Sequence, residues 1–351
     1  MADLSGDAGV VPRRDPDAAA RLRRALSVRN ISAIYIFAAL FALFAVWVPD
    51  TFLTSVVWRS LLDQGALTAI VAMALVLPLA AGAFDLAIGA EVGFGSILVA
   101  WLLARQGVPV VPAIVLTVLA GCVVGLASGL LVVRAQIDSF IATLGISSVL
   151  LAGIAWVSDS QQILDLPAGF QDLATGQLLG LTYPVWMMLV IGAALAYLLD
   201  ATPVGRRVHA TGGNETSARL AGVHTARTIV LCLMGCGALA AFAGLLVSAR
   251  IGTGDPTVGP SYLLPAYAAA FLGSTQFRGG RYNIWGTIVS VYVLATGVKG
   301  LQLAGAPVWI PDLFNGLALL LAVGSARYRR TARRAGAVRR TLRRRAADGT
   351  G

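Results

Sequence analysis

Long apolar runs recur along this chain at Ile31 to Val48, then 65–83, 86–104, 108–133, 140–158 and 183–199; after a polar stretch at 200–228 they resume at 229–249, 262–276, 282–304 and 307–325. A helix needs roughly 20 apolar residues to cross the hydrocarbon core of a bilayer. Ten such runs in one chain leave little choice of fold. The reading is all-α: a polytopic transmembrane helical bundle of about ten spans. A soluble protein of this make-up would aggregate, since 57% of its 351 residues are hydrophobic. Only 13% are charged, about half the share in ordinary soluble domains, which sets aside disordered chains, nucleic-acid binders and typical cytosolic enzymes together.

The net charge of +10 needs an account of its own. Basic residues stay on the cytoplasmic side of a membrane, so their positions test the span assignment. With the N-terminus inside and all ten runs crossing, 23 of the 27 basic residues fall inside. They are six Arg in the first 30 residues, then Arg134, then Arg206, Arg207, Arg219 and Arg227, then Arg278 and Arg281, and ten in the tail. Arg59, Arg105, Arg250 and Lys299 fall outside, and the longest outside connection, Asp159 to Thr182, carries three Asp and no basic residue. The pattern predicts a multi-pass membrane protein with both termini cytoplasmic.

Residues 1–30 read as a disordered cytoplasmic arm, 31–326 as the membrane domain, and 327–351 as a basic cytoplasmic tail with ten Arg against Asp348. The first run is too long and too far from the start for a signal-peptide core, and reads as a retained anchor. The tail suits a topological anchor and a surface for anionic membrane lipids, so nucleic acid is not needed to explain the charge.

Packing within the membrane has its own signal. Gly121, Gly125 and Gly129 repeat on one face of their span, where small residues let a second helix approach closely. Cys122, Cys232 and Cys236 lie within apolar runs and behave as small buried hydrophobes. His209 and His224 sit in the polar stretch, so no Cys/His cluster of ligand spacing forms and no metal site is expected.

Asp85 and Glu91 interrupt the apolar pattern near 84–106, where a broken or re-entrant helix stays open as an alternative to two full crossings. Ionisable groups at depth commonly face a cavity or a partner. Asp85 also suits capping of a helix start, and Glu91 suits either a translocation path or pairing with an Arg or a backbone group. Phe140, Thr143, Ser147 and Ser148 form a polar and aromatic group that suits a sugar, although such hydroxyls more ordinarily bond to their own or a neighbouring helix. Asn283 and Asn315 read the same way.

No machinery for bond-making is visible: no phosphate-cradling G-x-x-x-x-G-K-[ST] loop, no H-E-x-x-H, and no Ser/His/Asp set. No catalytic residue and no cofactor is therefore expected in this chain, and work on a solute would draw on an ion gradient or another protein. The polar stretch at 200–228 is the most informative connection. Thr202 before Pro203 is a helix-start signal, and Asn214 is a second N-cap with Glu215 at the positive end of the helix dipole. Gly222 is a natural stop, which predicts a short cytoplasmic helix over 215–221. An isolated helix needs about 12–15 residues to hold in water, so this one is ordered by docking on something.

Gly205-Arg206-Arg207-Val208-His209-Ala210-Thr211-Gly212-Gly213-Asn214-Glu215, then Ala218-Arg219-Leu220-Ala221-Gly222-Val223, closely resembles the cytoplasmic coupling segment of ribose-type permease subunits of ABC sugar importers. Phe84-Asp85-Leu86-Ala87-Ile88-Gly89 is similar to that family's F-D-L-S-x-G, and Ser139-Phe140-Ile141-Ala142-Thr143-Leu144-Gly145 to its S-F-I-x-T-L-G. Phe271-Leu272-Gly273-Ser274-Thr275, with Gly279-Gly280-Arg281 and Gly286-Thr287, resembles its glycine-rich loop and the following span. The matches stand in order from about 65 to 325. Ser274, Ala87 and Glu91 depart from the pattern and leave the identity of the sugar open.

The resemblance implies a membrane permease subunit moving a ribose-like sugar or polyol. Its partners would be a second copy of the chain in a homodimer, a cytoplasmic ATPase that binds the ATP, and an extracytoplasmic sugar-binding protein. It marks Gly205, Arg206, Gly212, Gly213, Asn214, Glu215, Ala218, Arg219 and Gly222 as the ATPase-coupling segment. Asp85, Glu91, Phe140, Thr143, Ser147 and Asn315 are the candidates for the path. Two rivals remain: an ion-coupled secondary transporter of a small polar solute, with Asp85 and Glu91 as coupling sites, and a membrane scaffold that moves nothing.

Overall fold

A computed structural model of the chain describes residues 32–276 and 281–324. The arm at 1–30, the Gly279-Gly280 pair and the basic tail at 327–351 lie outside the described residues.

Helix α1 (Ser32–Trp47) leads through a short α2 (Pro49–Phe52) into α3 (Ser55–Ala81), followed by α4 (Ile88–Ala100), α5 (Val110–Val133) and α6 (Ser139–Ser158). The next connection holds α7 (Ala168–Thr175) and a small antiparallel hairpin of β1 (Gln177–Leu178) and β2 (Leu181–Thr182), and ends at α8 (Tyr183–Ala201). Two polar helices, α9 (Pro203–Gly213) and α10 (Glu215–Leu220), precede α11 (Thr225–Ile251). The chain continues through α12 (Leu263–Gln276) and α13 (Ile284–Leu303) to α14 (Ile310–Gly324).

Each apolar run holds one helix, and the protein is an all-α polytopic membrane protein. Among the described residues, seven helices are long and apolar enough to cross a bilayer: α3, α4 with the π-helical turn Trp101–Arg105 that extends it, α5, α6, α8, α11 and α13. The apolar α1, α12 and α14 are shorter. Irregularity near 84–106 takes the form of an unwound segment between α3 and α4, together with that π-helical turn.

Helices α3, α4, α11 and α13 form the interior. In α3 89% of the apolar window is buried, against 22% in α5 and in α6, so the outer helices present broad apolar faces for lipid or another subunit to cover. The predicted glycine face is the crossing of α5 on α11. A Cβ on Gly125 would stand 2.7 Å from the Met234 Cα and collide with the Leu233 carbonyl oxygen, and one on Gly129 would stand 2.9 Å from the Val230 Cα. Without those methyl groups the two backbones touch, and close van der Waals contact drives helix association where both helices are already in an apolar medium.

The polar connections divide between two faces. On one, Gly82 lies against Gly212, and the Phe84 N–H donates to Ser139 Oγ over 3.1 Å, which brings the end of α3, the start of α6 and the α9–α10 segment together. On the other, Arg105 lies 3.6 Å from Asp159, and Ile163 and Gly254 exchange two backbone hydrogen bonds of 2.9 Å.

Candidate functional site

The polar stretch folds by its capping chemistry. Thr202 Oγ1 accepts the Gly205 N–H at 3.4 Å and donates to the Leu198 carbonyl at 2.6 Å, and Pro203 opens α9. Asn214 Oδ1 accepts the Ser217 N–H at 2.9 Å and starts α10. Ala221 is the last cap and Gly222 turns away at φ +83°, so α10 ends at Leu220, one residue before the expected end. At φ +83° a side chain at position 222 would be strained, which is why glycine stands there.

Three contacts hold a helix this short. Asn214 caps it, Ala218 is buried beneath it, and Thr225 Oγ1 donates to Glu215 Oε1 at 3.2 Å, tying its first residue to the start of α11. Gly212 presses on the end of α3 at Ala80, and Gly205 on the Leu199 carbonyl, so α9 lies flat against the bundle. The other expected coupling residues face outward: Arg206, Gly213 and Arg219 are exposed, and beside them Leu220 is 86% exposed. Next to α10 a cleft of about 900 Å³ opens between Glu215 and Arg219, the Gln136–Asp138–Ser139 turn, and Arg227. Charge of both signs thus surrounds an exposed leucine on this face.

Between α3 and α4 the chain unwinds; Gly82 and Ala83 still donate to backbone carbonyls of α3, and each N–H from Phe84 to Ala87 finds a side-chain acceptor. Phe84 donates to Ser139 Oγ (3.1 Å), Asp85 to Tyr267 Oη (3.2 Å), Leu86 to Thr143 Oγ1 (3.0 Å) and Ala87 to Asp85 Oδ1 (3.0 Å). Irregular backbone within a membrane needs such partners. Asp85 does not cap α4 as expected: the N-cap is Ala87, without a side-chain cap bond, and Asp85 instead closes a local turn on the Ala87 N–H ahead of the helix. Thr143, which also donates to the Ser139 carbonyl at 2.7 Å, bonds both its own helix and the break.

Glu91 is fully buried in the first turn of α4, and neither of its oxygens makes a hydrogen bond among the described residues. Asp85, Glu91 and Cys236 form a buried group whose potential ligand atoms all lie within 4.8 Å of one another. Chain spacing gave no sign of this cluster, because α4 and α11 meet only in the fold. Phe140 is 51% exposed and Ser147 half-buried on α6, while Asn315 is buried beside Lys299 and Gln302 in a separate cavity of about 220 Å³. The six path candidates therefore do not share one surface: Asp85, Glu91 and Thr143 are interior, Phe140 and Ser147 look outward, and Asn315 stands apart. Asn283, an interhelical residue by expectation, caps α13 through the Gly286 N–H at 2.6 Å and reaches the Gly273 carbonyl at 3.4 Å. Sequence reasoning passed over Tyr267, which carries no local motif, and Thr225, whose only signal is its place just after the short helix.

A family model described as the branched-chain amino acid transport system / permease component matches residues 59–323. The L-arabinose ABC transporter permease protein AraH of Azospirillum brasilense is 32% identical over 332 residues, covering 94% of this chain and 96% of its own length. The ribose import permease protein RbsC of Bacillus subtilis is 34% identical over 266 residues, 75% of this chain and 82% of its own. The autoinducer 2 import system permease protein LsrD of Yersinia enterocolitica is 32% identical over 260 residues, 72% and 78% of the two chains. No solved structure matches the chain.

Proposed function

The chain belongs to the branched-chain amino acid transport system / permease component family, and from that membership we propose that it is the membrane subunit of an ATP-driven importer of a monosaccharide or related polyol. The family description is broad. The relatives that span most of this chain carry arabinose or ribose in their names, which supports a sugar-sized cargo. A relative named for autoinducer 2 widens the class to other small polar solutes.

The observation that carries the mechanism is the α9–α10 segment, clamped to the bundle on one side and presenting Arg206, Arg219 and Leu220 on the other. A separate cytoplasmic ATPase docks there, at Gly205 to Gly222, and pushes on α10. The Glu215–Thr225 bond passes that displacement to α11, as a rigid element passes motion between two packed states. Both termini are cytoplasmic on this reading, and an extracytoplasmic binding protein delivers cargo to the opposite face. Two copies of the chain enclose the path, each contributing the outward face of α6 with Phe140 and Ser147. Asp85, Glu91 and Thr143 shape that path from within the protomer.

Uptake into proteoliposomes tests the proposal. Uptake that needs the partner ATPase, ATP and the binding protein supports it. Gradient-driven uptake by this chain alone overturns it in favour of an ion-coupled carrier, and no flux under any energy source leaves a scaffold.

A further inference from the structure

Between α8, α9 and α11 the surface opens into a groove of about 1000 Å³ whose walls change character along its length. One part is apolar, walled by Leu195 and Leu198 of α8 and by Leu231 and Leu239 of α11. The other end carries Arg207 of α9 and Arg227 of α11, both exposed and neither ion-paired among the described residues. From Arg227 to Leu239 the α11 wall runs about 18 Å at the rise of an α-helix, close to one leaflet of a hydrocarbon core roughly 30 Å thick.

We propose that this groove holds one anionic glycerophospholipid from the leaflet on the α9–α10 face. Its acyl chains lie along the four leucines and its phosphate is held by Arg207 and Arg227. Guanidinium groups match phosphate oxygens with two parallel N–H donors, and long basic side chains lay their stems on apolar surface while the charge reaches the headgroup region. A water-soluble phosphate would satisfy the arginines and leave the leucine wall bare. A neutral lipid would cover the leucines and leave two cations without a counter-charge. A bound headgroup would also join the two elements that flank α10, so occupancy would stiffen the segment on which the transport proposal depends. The site itself requires only that the chain sits in a bilayer, and it stands or falls apart from that proposal.

Native mass spectrometry of the detergent-purified full chain tests it, by titration with phosphatidylglycerol, with phosphatidylcholine of the same acyl chains, and with glycerol 3-phosphate. The expected result is a preference for phosphatidylglycerol of about tenfold or more, the order that two basic groups near a membrane surface supply. Arg207→Gln with Arg227→Gln should abolish the preference. A charge-matched pair outside the groove, Arg59→Gln with Arg134→Gln, should retain it, and Ala238→Trp, which fills the apolar part, should lose both lipids while eluting as a monodisperse particle. Equal binding of the two lipids, an unchanged preference in the groove pair, an equal loss in the control pair, or competition by glycerol 3-phosphate as effective as the lipid would each overturn the site.

Discussion

Thr143 Oγ1 accepts the Leu86 backbone N–H across 3.0 Å while donating to the Ser139 carbonyl at 2.7 Å, so one hydroxyl joins the unwound segment before α4 to the first turn of α6. Ser139 Oγ likewise accepts the Phe84 N–H. Two stretches that stand apart in the sequence as separate motifs are thus each other's hydrogen-bond partners, and their hydroxyls satisfy backbone before any solute arrives.

Replacing Thr143 with Val keeps the shape and removes the acceptor. Leu86 is left with a part-buried, unpaired N–H, which costs up to about 1–3 kcal/mol. Thermal unfolding in detergent should show Thr143→Val clearly less stable and Thr143→Ser close to the parent protein. Equal stability of all three would remove the bond from the account of the break.

Glu215→Lys should leave membrane insertion intact and abolish ATP-dependent uptake, because it reverses the charge at the start of α10 and loses the acceptor for Thr225. Thr225→Val loses only the bond, and should lower uptake without abolishing it. The check is uptake in proteoliposomes with the partner ATPase, alongside quantified insertion; full activity in Glu215→Lys would rule out α10 as the transmission element.

The α5–α11 crossing separates crowding from helix propensity. A Cβ at Gly125 meets backbone of α11, whereas one at Gly145 meets nothing within 4 Å. Gly125→Ala should therefore destabilise by roughly 1–3 kcal/mol. Gly145→Ala, in the interior of α6, should be neutral or stabilising by up to about 1 kcal/mol. Melting midpoints of the two variants, measured side by side, decide it.

Glu91→Gln preserves the volume of a buried side chain and replaces a carboxyl that makes no hydrogen bond among the described residues with a neutral amide close to the Asp85 carboxyl. Assembly should be unchanged and the melting midpoint equal to or above that of the parent. A large drop would show that the carboxylate itself is required to hold the interior together.

Hydrophobic run length was enough to place the membrane helices, because a bilayer imposes nearly the same requirement on every span. The caps of α9 and α10 were also legible, since Thr202, Pro203, Asn214 and Gly222 act on their immediate neighbours. The break before α4 was legible only as a disturbance. Its partners lie 55 residues away at Ser139 and 182 residues away at Tyr267, and hydroxyls so placed have no period or spacing to betray them. The cluster of Glu91 with Cys236 escaped for the same reason: a cysteine in an apolar run looks the same whether it meets a leucine or a carboxyl. Thr143 looked suited to a solute because a hydroxyl in a span is chemically versatile, and only the fold shows which of its uses is taken.

The exchange of hydrogen bonds between Ile163 and Gly254 fastens the 159–182 connection just past the far end of α11, whose near end is held by Glu215. Its 27 residues make a rod about 40 Å long. Leverage follows from that length: a tilt of only about 5° about one end sweeps the other sideways by roughly 3–4 Å at this rise per residue. A nudge too small to disturb packing at the Glu215–Thr225 tether would thus arrive at the other end of α11 as a shift about the width of a water molecule.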